Sequence, residues 1–266
     1  MSGRSTIFSI ITVSYNAVGD IERTVRSVME QDFRDFEYLI IDGASKDGTP
    51  KKAAEITGRY DDINVTIISE PDSGIYDAMN KGLDLAAGEY LIFLNAGDAF
   101  HDTDTLSVLS RAIESNNLPG IVYGQTDIVD KDGNRLAGRH LTAPPQLTLS
   151  SFSKGMLVCH QAFVVLARIA SQFNTSYRFS ADYDWCIRCL QHSRHNVYVD
   201  RTLVDYLAEG TTTANRRASL IERFRIMTCY YGLPLAILRH LQFIPRFIRR
   251  RKLEKQIFNN PHNIKQ

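Results

Sequence analysis

The sequence predicts an α/β protein built on a mostly parallel sheet with helices on both faces, followed by a C-terminal helical extension. Three observations predict it. Strand-like and helix-like segments alternate through the N-terminal part of the chain, which is the pattern of a parallel sheet covered by its crossover helices. Each strand-like run ends in small and polar residues. The chain has 266 residues, 44% of them hydrophobic and 23% charged, an ordinary globular composition with enough length for a sizeable core.

The elements follow in order. "FSIITVSY" (8–15) and "EYLIIDGAS" (37–45) read as the first two strands, "VTIIS" (65–69) as the third and "YLIFLNAGD" (90–98) as the fourth. The apolar stretch Tyr90 to Leu94 has the composition of a strand buried on both faces. Helices are predicted over Asp20 to Glu30, Pro50 to Tyr60, Gly74 to Ala86 and Asp104 to Glu114. In the first of these Ile21, Val25, Val28 and Met29 share one face. Thr49-Pro50 reads as an N-cap followed by Pro at the first helical position. Residues 120–138 read as two strands joined by a turn at Lys131-Asp132-Gly133-Asn134, and 151–165 as a polar loop leading into a strand. "SADYDWCIRCLQHS" (180–193) is a helix with Ser180 as N-cap and two Asp in its first turn. Residues 216–250 look helical in two pieces, broken at Gly232-Leu233-Pro234. These readings divide the chain into an α/β domain over 1–215 and a basic helical extension over 216–266.

In parallel sheets, ligands bind beyond the C-terminal ends of the strands. Here those ends are Ser14-Tyr15-Asn16, then Asp42 through Gly48, then Ser69 through Gly74, and finally Asn95-Ala96-Gly97-Asp98. One polar strand end is unremarkable, but four on one sheet edge, two of them carrying several carboxylates, mark a site.

Other function classes fare worse. "TVSYNAVGD" lacks the glycine-rich phosphate turn of a dinucleotide-binding oxidoreductase. No stretch approaches the ~20 apolar residues of a membrane span. The N-terminal residues carry no signal peptide, so Cys159, Cys186, Cys189 and Cys229 are expected as reduced thiols of a cytoplasmic protein. The Cys186/Cys189 pair lies in a helical pattern without a second ligand pair, so it reads as buried helix cysteines in preference to zinc ligands.

"SIITVSYNA", "IIDGASKDGT" and "SEPDSGIYDAMNKGLDLAAGEYLIFLNAGD", in that order and spacing, resemble the family 2 glycosyltransferases, whose fold is the Rossmann-like GT-A. The resemblance spans roughly residues 7 to 210, and the "EPDSGIYDAMNKG" form is similar to bacterial enzymes of exopolysaccharide, colanic-acid-type and O-antigen assembly. It implies an inverting transfer of a hexosyl or N-acetylhexosaminyl group from a nucleotide diphosphate sugar, usually of uridine, to a hydroxyl of a growing, lipid-linked glycan.

The resemblance also implies roles. Asp42 falls where a carboxylate meets the nucleobase, and an Asp acceptor suits an imide N–H. Val13, Ser14 and Tyr15 fall beside the nucleoside, with Val13 where a Thr is frequent, so that its contact could be through the backbone alone. Asp47 could equally cap the following helix. Asp98 falls on the metal-binding carboxylate of the D-x-D motif, where Mg²⁺ or Mn²⁺ would stabilise the departing diphosphate. Asn95 stands where many relatives have the first Asp, and Gly97 replaces a further acid, which leaves a single carboxylate. Met79 stands where an Arg is frequent, so Lys81 is the nearby cation for the diphosphate, or else an ordinary surface lysine. Asp72 and Asp77 flank Gly74 and could bond sugar hydroxyls, with a helix-start charge as the competing role of Asp77. Asp182 in "SADYDW" matches the second acid of the pair that carries the catalytic base, with Ala181 in place of the usual Glu. Asp184 should point elsewhere on the helix. His160-Gln161 falls where this subgroup places a polar pair near donor or acceptor, although a lone His beside an apolar strand is more often structural.

The tail differs from the rest. From Arg239 to Gln266 eight Lys/Arg face one acidic residue, and Arg249 to Lys252 form an unbroken basic run beside Leu, Ile and Phe. Such a segment could lie on an anionic membrane face as a peripheral contact. Nucleic-acid binding fits less well, because the remainder of the chain is net acidic and carries no matching motif. The reading that competes with an enzyme is an inactive nucleotide-sugar or glycan-binding protein of the same fold, supported by the thinned metal motif and Ala181 and opposed by the survival of both Asp98 and Asp182.

Overall fold

The computed structural model describes residues 6–139, 141–208 and 216–242. The order is β1 (Phe8–Ser14), α1 (Ile21–Met29), β2 (Phe36–Asp42), α2 (Thr49–Thr57), β3 (Asn64–Ser69), α3 (Ile75–Leu85), β4 (Tyr90–Phe93), β5 (Ala99–Phe100), α4 (Thr105–Ser115), β6 (Ile121–Val129), β7 (Arg135–Gly138), β8 (Phe163–Leu166), α5 (Ala181–His192), β9 (Asn196–Leu207) and α6 (Arg216–Tyr231). The described strands form one sheet in the order β3-β2-β1-β4-β8-β6-β9-β5, with β7 on β6.

The predicted parallel unit is β3-β2-β1-β4, with Val13 opposite Ile41 and Ser14 opposite Asp42, so the polar ends of β1 and β2 are level. Beyond β4 the sheet is mixed. β8 runs antiparallel to both β4 and β6, while β9 runs parallel to β6 and returns to pair with β5. β5 and β9 were not expected from the sequence. β5 is two residues long, too short to show a period, and β9 carries no continuous apolar run.

Alternation along the central strands sends side chains to opposite faces. Phe8 and Ile10 of β1, Tyr38 and Ile40 of β2, and Tyr90 and Ile92 of β4 meet α1, α2 and α4 in one core. Ile11, Leu39, Ile41, Leu91 and Phe93 meet α3, α5 and Trp185 in the other. Trp185 stacks on Phe173, whose backbone Asn80 grips through both ends of its amide. The helical piece 216–242 joins this second core through Ile226, Met227 and Ala236, and Glu222 accepts the backbone N–H groups of Arg178 and Phe179. The described part of the expected extension therefore packs on the α/β unit. The basic run Arg249–Lys252 lies outside the described residues.

Cys186 and Cys189 face the core on α5, and burial raises both thiols above their ordinary range. Two capping expectations need correction. Helix α2 begins at Thr49 itself, behind Gly48 at φ +94°, and Asp47 accepts the Thr49 N–H. Ser180 stands at the N-cap of α5, but its hydroxyl goes to Ser219 and caps no backbone donor.

Candidate active site

The end of β4 turns sharply. Asp98 N–H donates to the Asn95 carbonyl, and Gly97 sits at φ +100°, a conformation that disfavours any side chain. A Cβ on Gly97 would also come within 2.7 Å of Leu207 Cδ2. The turn drives the Asp98 side chain inward, where it is 4% exposed. Leu207 N–H donates to Oδ1 at 3.0 Å and Gln161 Nε2 to Oδ2 at 2.7 Å. Burial pushes this carboxyl up to about 6, against the opposing pull of those two donors and of His160 and Arg23.

Asp182 lies in the first turn of α5. Its Oδ1 accepts from Tyr76 Oη at 3.1 Å and from the Tyr183 N–H at 2.9 Å, and its Oδ2 lies 3.4 Å from His160 Nδ1. Burial alone would raise this carboxyl, but His160, Arg223 and the Tyr183 N–H outweigh it and hold it below the ordinary carboxylate range. It is thus held ionised. On its far side, His160 Nε2 lies 3.3 Å from Asn95 Nδ2. The consecutive residues His160 and Gln161 therefore reach Asp182 and Asp98 respectively. Asp184, two residues on, turns away to Arg188 and Tyr230.

The other expected site residues divide. Tyr15 is 67% exposed at the end of β1, and the Tyr15 ring and the Asp72 carboxylate both crowd the backbone of Gly43, where a Cβ would meet each of them. Together they line an open edge beside the β2 loop. Asp72 also accepts the Gly74 N–H, and Asp77 accepts the Ser73 N–H, the helix-start role that competed with sugar binding. Asp42 is fully enclosed. Its oxygens take donors from Ser14 Oγ, Ser45 N–H, Ser45 Oγ and Ser69 Oγ, which fill the four lone-pair directions of a carboxylate. In this arrangement Asp42 knots three strand ends together and presents no open acceptor, and Ser14, 7% exposed, is spent on the same knot. Val13 is not brought to the cleft: its side chain lies in the core and its carbonyl accepts the Ala96 N–H. Lys81 does not reach the Asp98–Asp182 cluster either. Its ammonium is held by Glu70 and the Pro71 carbonyl, each at 2.8 Å. Asp47 stitches the first two strand-end loops by accepting from Val18 N–H and from Thr49.

Residues that the sequence reading passed over complete the site. Tyr76 was visible only as part of the "SGIYDAMNKG" signature, and Arg223 and Leu207 carry no local signal. Asn95 Oδ1 is buried without a hydrogen-bond partner among the described residues. Whether the site suits a divalent cation turns on its donors. Among the described residues no three His, Cys, Asp or Glu side chains converge as a ready-made ligand set. Asp98 supplies one carboxylate, which fits Mg²⁺ or Mn²⁺ arriving with phosphate oxygens and waters but not a cation held by protein alone.

Comparison with known proteins gives this geometry a family. The model of Glycosyl transferase family 2 matches residues 9–185. The chain is 32% identical over 189 residues to a PGL/p-HBAD biosynthesis glycosyltransferase of Mycobacterium bovis, covering 70% of each chain. It is 29% identical over 212 residues to the amylovoran biosynthesis glycosyltransferase AmsB of Erwinia amylovora, covering 75% of this chain and 69% of that one. Among solved structures, Staphylococcus aureus TarS in complex with UDP-GlcNAc superimposes with a TM-score of 0.69 at 17% identity, over 89% of this chain and 73% of the other. The mannosyltransferase PcManGT of Pyrobaculum calidifontis, in complex with GDP-Man and Mn²⁺, gives 0.62 at 16%, over 96% and 81%. The fold is GT-A, and the chain belongs to glycosyl transferase family 2.

Proposed function

Taking that membership as premise, we propose that this glycosyltransferase is inverting and moves a sugar from a nucleoside diphosphate donor, UDP by preference, to a hydroxyl of a growing lipid-linked glycan. The observation that carries the reading is the His160-Gln161 dipeptide, which ties the candidate base Asp182 and the candidate metal ligand Asp98 into one cluster. In this reading Asp182 takes the proton of the acceptor hydroxyl as its oxygen attacks the anomeric carbon from the face opposite the diphosphate. Asp182 is ionised and so able to accept that proton, while the same neighbours that lower its pKa weaken it as a base. Tyr76 and the Tyr183 N–H keep the carboxylate oriented. Tyr15 offers its exposed face to the nucleobase, and Asp72 lies beside it. Asp42 serves the nucleotide through the loop it knots. Asn95, at the end of β4, stands on the donor side.

A divalent cation bound at Asp98 would supply charge stabilisation to the leaving diphosphate. Gln161 and the Leu207 N–H hold that carboxylate in place, and each takes one of its oxygens. AmsB and the mycobacterial relative, named for amylovoran and for PGL/p-HBAD biosynthesis, support a glycan or glycolipid acceptor. A peripheral membrane contact would fit such an acceptor. Among the described residues no helix is long and apolar enough to cross a membrane, but Leu233, Ile237, Leu238 and Leu241 are exposed on helical residues 233–242, six residues before the basic run in the sequence.

The test is release of nucleoside diphosphate from a panel of nucleotide-sugars, with Mn²⁺ or with chelator and with acceptor glycolipids supplied. Metal-dependent release from one donor is expected. Asp182→Asn should cut kcat by about 10²–10⁴ while donor binding survives, and Asp98→Ala should remove the metal dependence. Donor binding without turnover under any of these conditions would favour the inactive binding protein instead.

A further inference from the structure

We propose that Asn95 and His160 are positioning residues that fix one imidazole tautomer, Nδ1–H, and thereby aim Oδ2 of Asp182 at the incoming hydroxyl. This rests on the reading of Asp182 as base and deepens it. The argument begins with donors. The Asn95 amide nitrogen has only hydrogens to offer, and it lies 3.3 Å from His160 Nε2. With the amide nitrogen on this side, a neutral ring presents its Nε2 lone pair there and carries its hydrogen on Nδ1. That nitrogen faces Asp182 Oδ2 at 3.4 Å, a separation within reach of closing once substrate is bound.

The two oxygens of Asp182 then differ. Oδ1 already accepts two donors, Tyr76 Oη and the Tyr183 N–H. Oδ2 faces only His160 among the described residues, so a lone pair is left on it for one more proton. The Nε2–H tautomer would reverse this, setting a lone pair of Nδ1 against the carboxylate. Asn95 selects against it. The other end of the same amide, Oδ1, is buried and unpartnered.

The substitution at this strand end follows from the same chemistry. An aspartate at position 95, the residue the D-x-D motif would carry, has only lone pairs and would draw a hydrogen onto Nε2. The asparagine makes the first position of the motif a hydrogen donor toward His160.

The experiment is ring ¹⁵N NMR of histidine-labelled full-length protein at pH 8 in chelator, with the His160 signals identified by their loss in His160→Gln. A protonated Nδ1 and an unprotonated Nε2 are expected in the wild type. Asn95→Ala should shift the hydrogen to Nε2 or mix the two forms. The nearly isosteric Asn95→Asp, which guards against a folding failure in the alanine variant, should place a hydrogen on Nε2. In Asn95→Asp, kcat should fall about tenfold or more while donor KM holds. A wild-type Nε2–H ring, a tautomer indifferent to both substitutions, or an unchanged kcat in Asn95→Asp would each overturn the proposal. The tautomer is read without turnover, so a protein with the expected ring but no transferase activity would refute the function above and not the geometry argued here.

Discussion

Asp98 gives the sharpest energetic prediction. Its carboxyl titrates near 6 in the folded protein, raised from 3.8 by burial. A raised acid binds its proton more tightly when folded. Its contribution to stability is therefore fully present below about pH 4 and is lost as pH rises through about 6. A shift of about two units corresponds to about 3 kcal/mol, to order of magnitude, since one unit is about 1.4 kcal/mol. Asp98→Asn removes the titration while keeping an oxygen for the Leu207 N–H, and Gln161 can turn its amide oxygen toward the new NH₂. Urea unfolding of both proteins in chelator, at intervals from pH 4 to pH 8, isolates the effect because other titrations cancel in the difference. The Asn variant should gain about 3 kcal/mol relative to wild type across that range. A pH-independent difference would refute the account of Asp98 as a desolvated carboxylate and leave its high burial without energetic consequence. Mn²⁺ with a nucleoside diphosphate should then stabilise the wild type near pH 8 and not the variant, because only an ionised carboxylate binds the cation.

Two further outcomes are expected. Gly97→Asp, which adds back an acid of the motif, should destabilise the protein by about 1–3 kcal/mol, from a side chain at φ +100° and from the approach of Leu207 Cδ2; Leu207→Ala should recover part of the loss in a denaturation series, and an undiminished Gly97→Asp protein would show the turn to be unstrained. Exposed Leu238 and Leu241 predict binding to phosphatidylglycerol vesicles that weakens at least about tenfold in Leu238→Ser/Leu241→Ser and weakens with salt; a wild-type protein that fails to sediment with vesicles would dispose of the membrane contact.

What could be read from the chain depended on the range of the interaction involved. The four parallel strands and the helices α1 to α5 were legible to within a few residues, because each is set by apolar residues a few positions apart. The strand ends that gather at the cleft were legible for the same reason, since every strand in a parallel unit delivers its C-terminal residues to one edge. Thus Asp98 and Asp182 could be named from sequence together with the family motifs they resemble. Direction beyond β4 was not legible: β8, β6 and β9 take their orientation from pairing partners distant in the chain.

The state of each polar side chain was equally hidden. Asp42 and Asp98 both end apolar runs, yet Asp42 is saturated by serines at three strand ends while Asp98 keeps one donor on each oxygen. Lys81 looked available until Glu70 took it, and Val13 looked adjacent to the cleft until the pleat turned it into the core. The sequence by itself determined which residue types arrive at the sheet edge, because that follows from local periodicity. Only the tertiary structure decided which of them retain a free lone pair there, because a hydrogen bond is satisfied or not by whatever distant residue packing brings within about 3 Å.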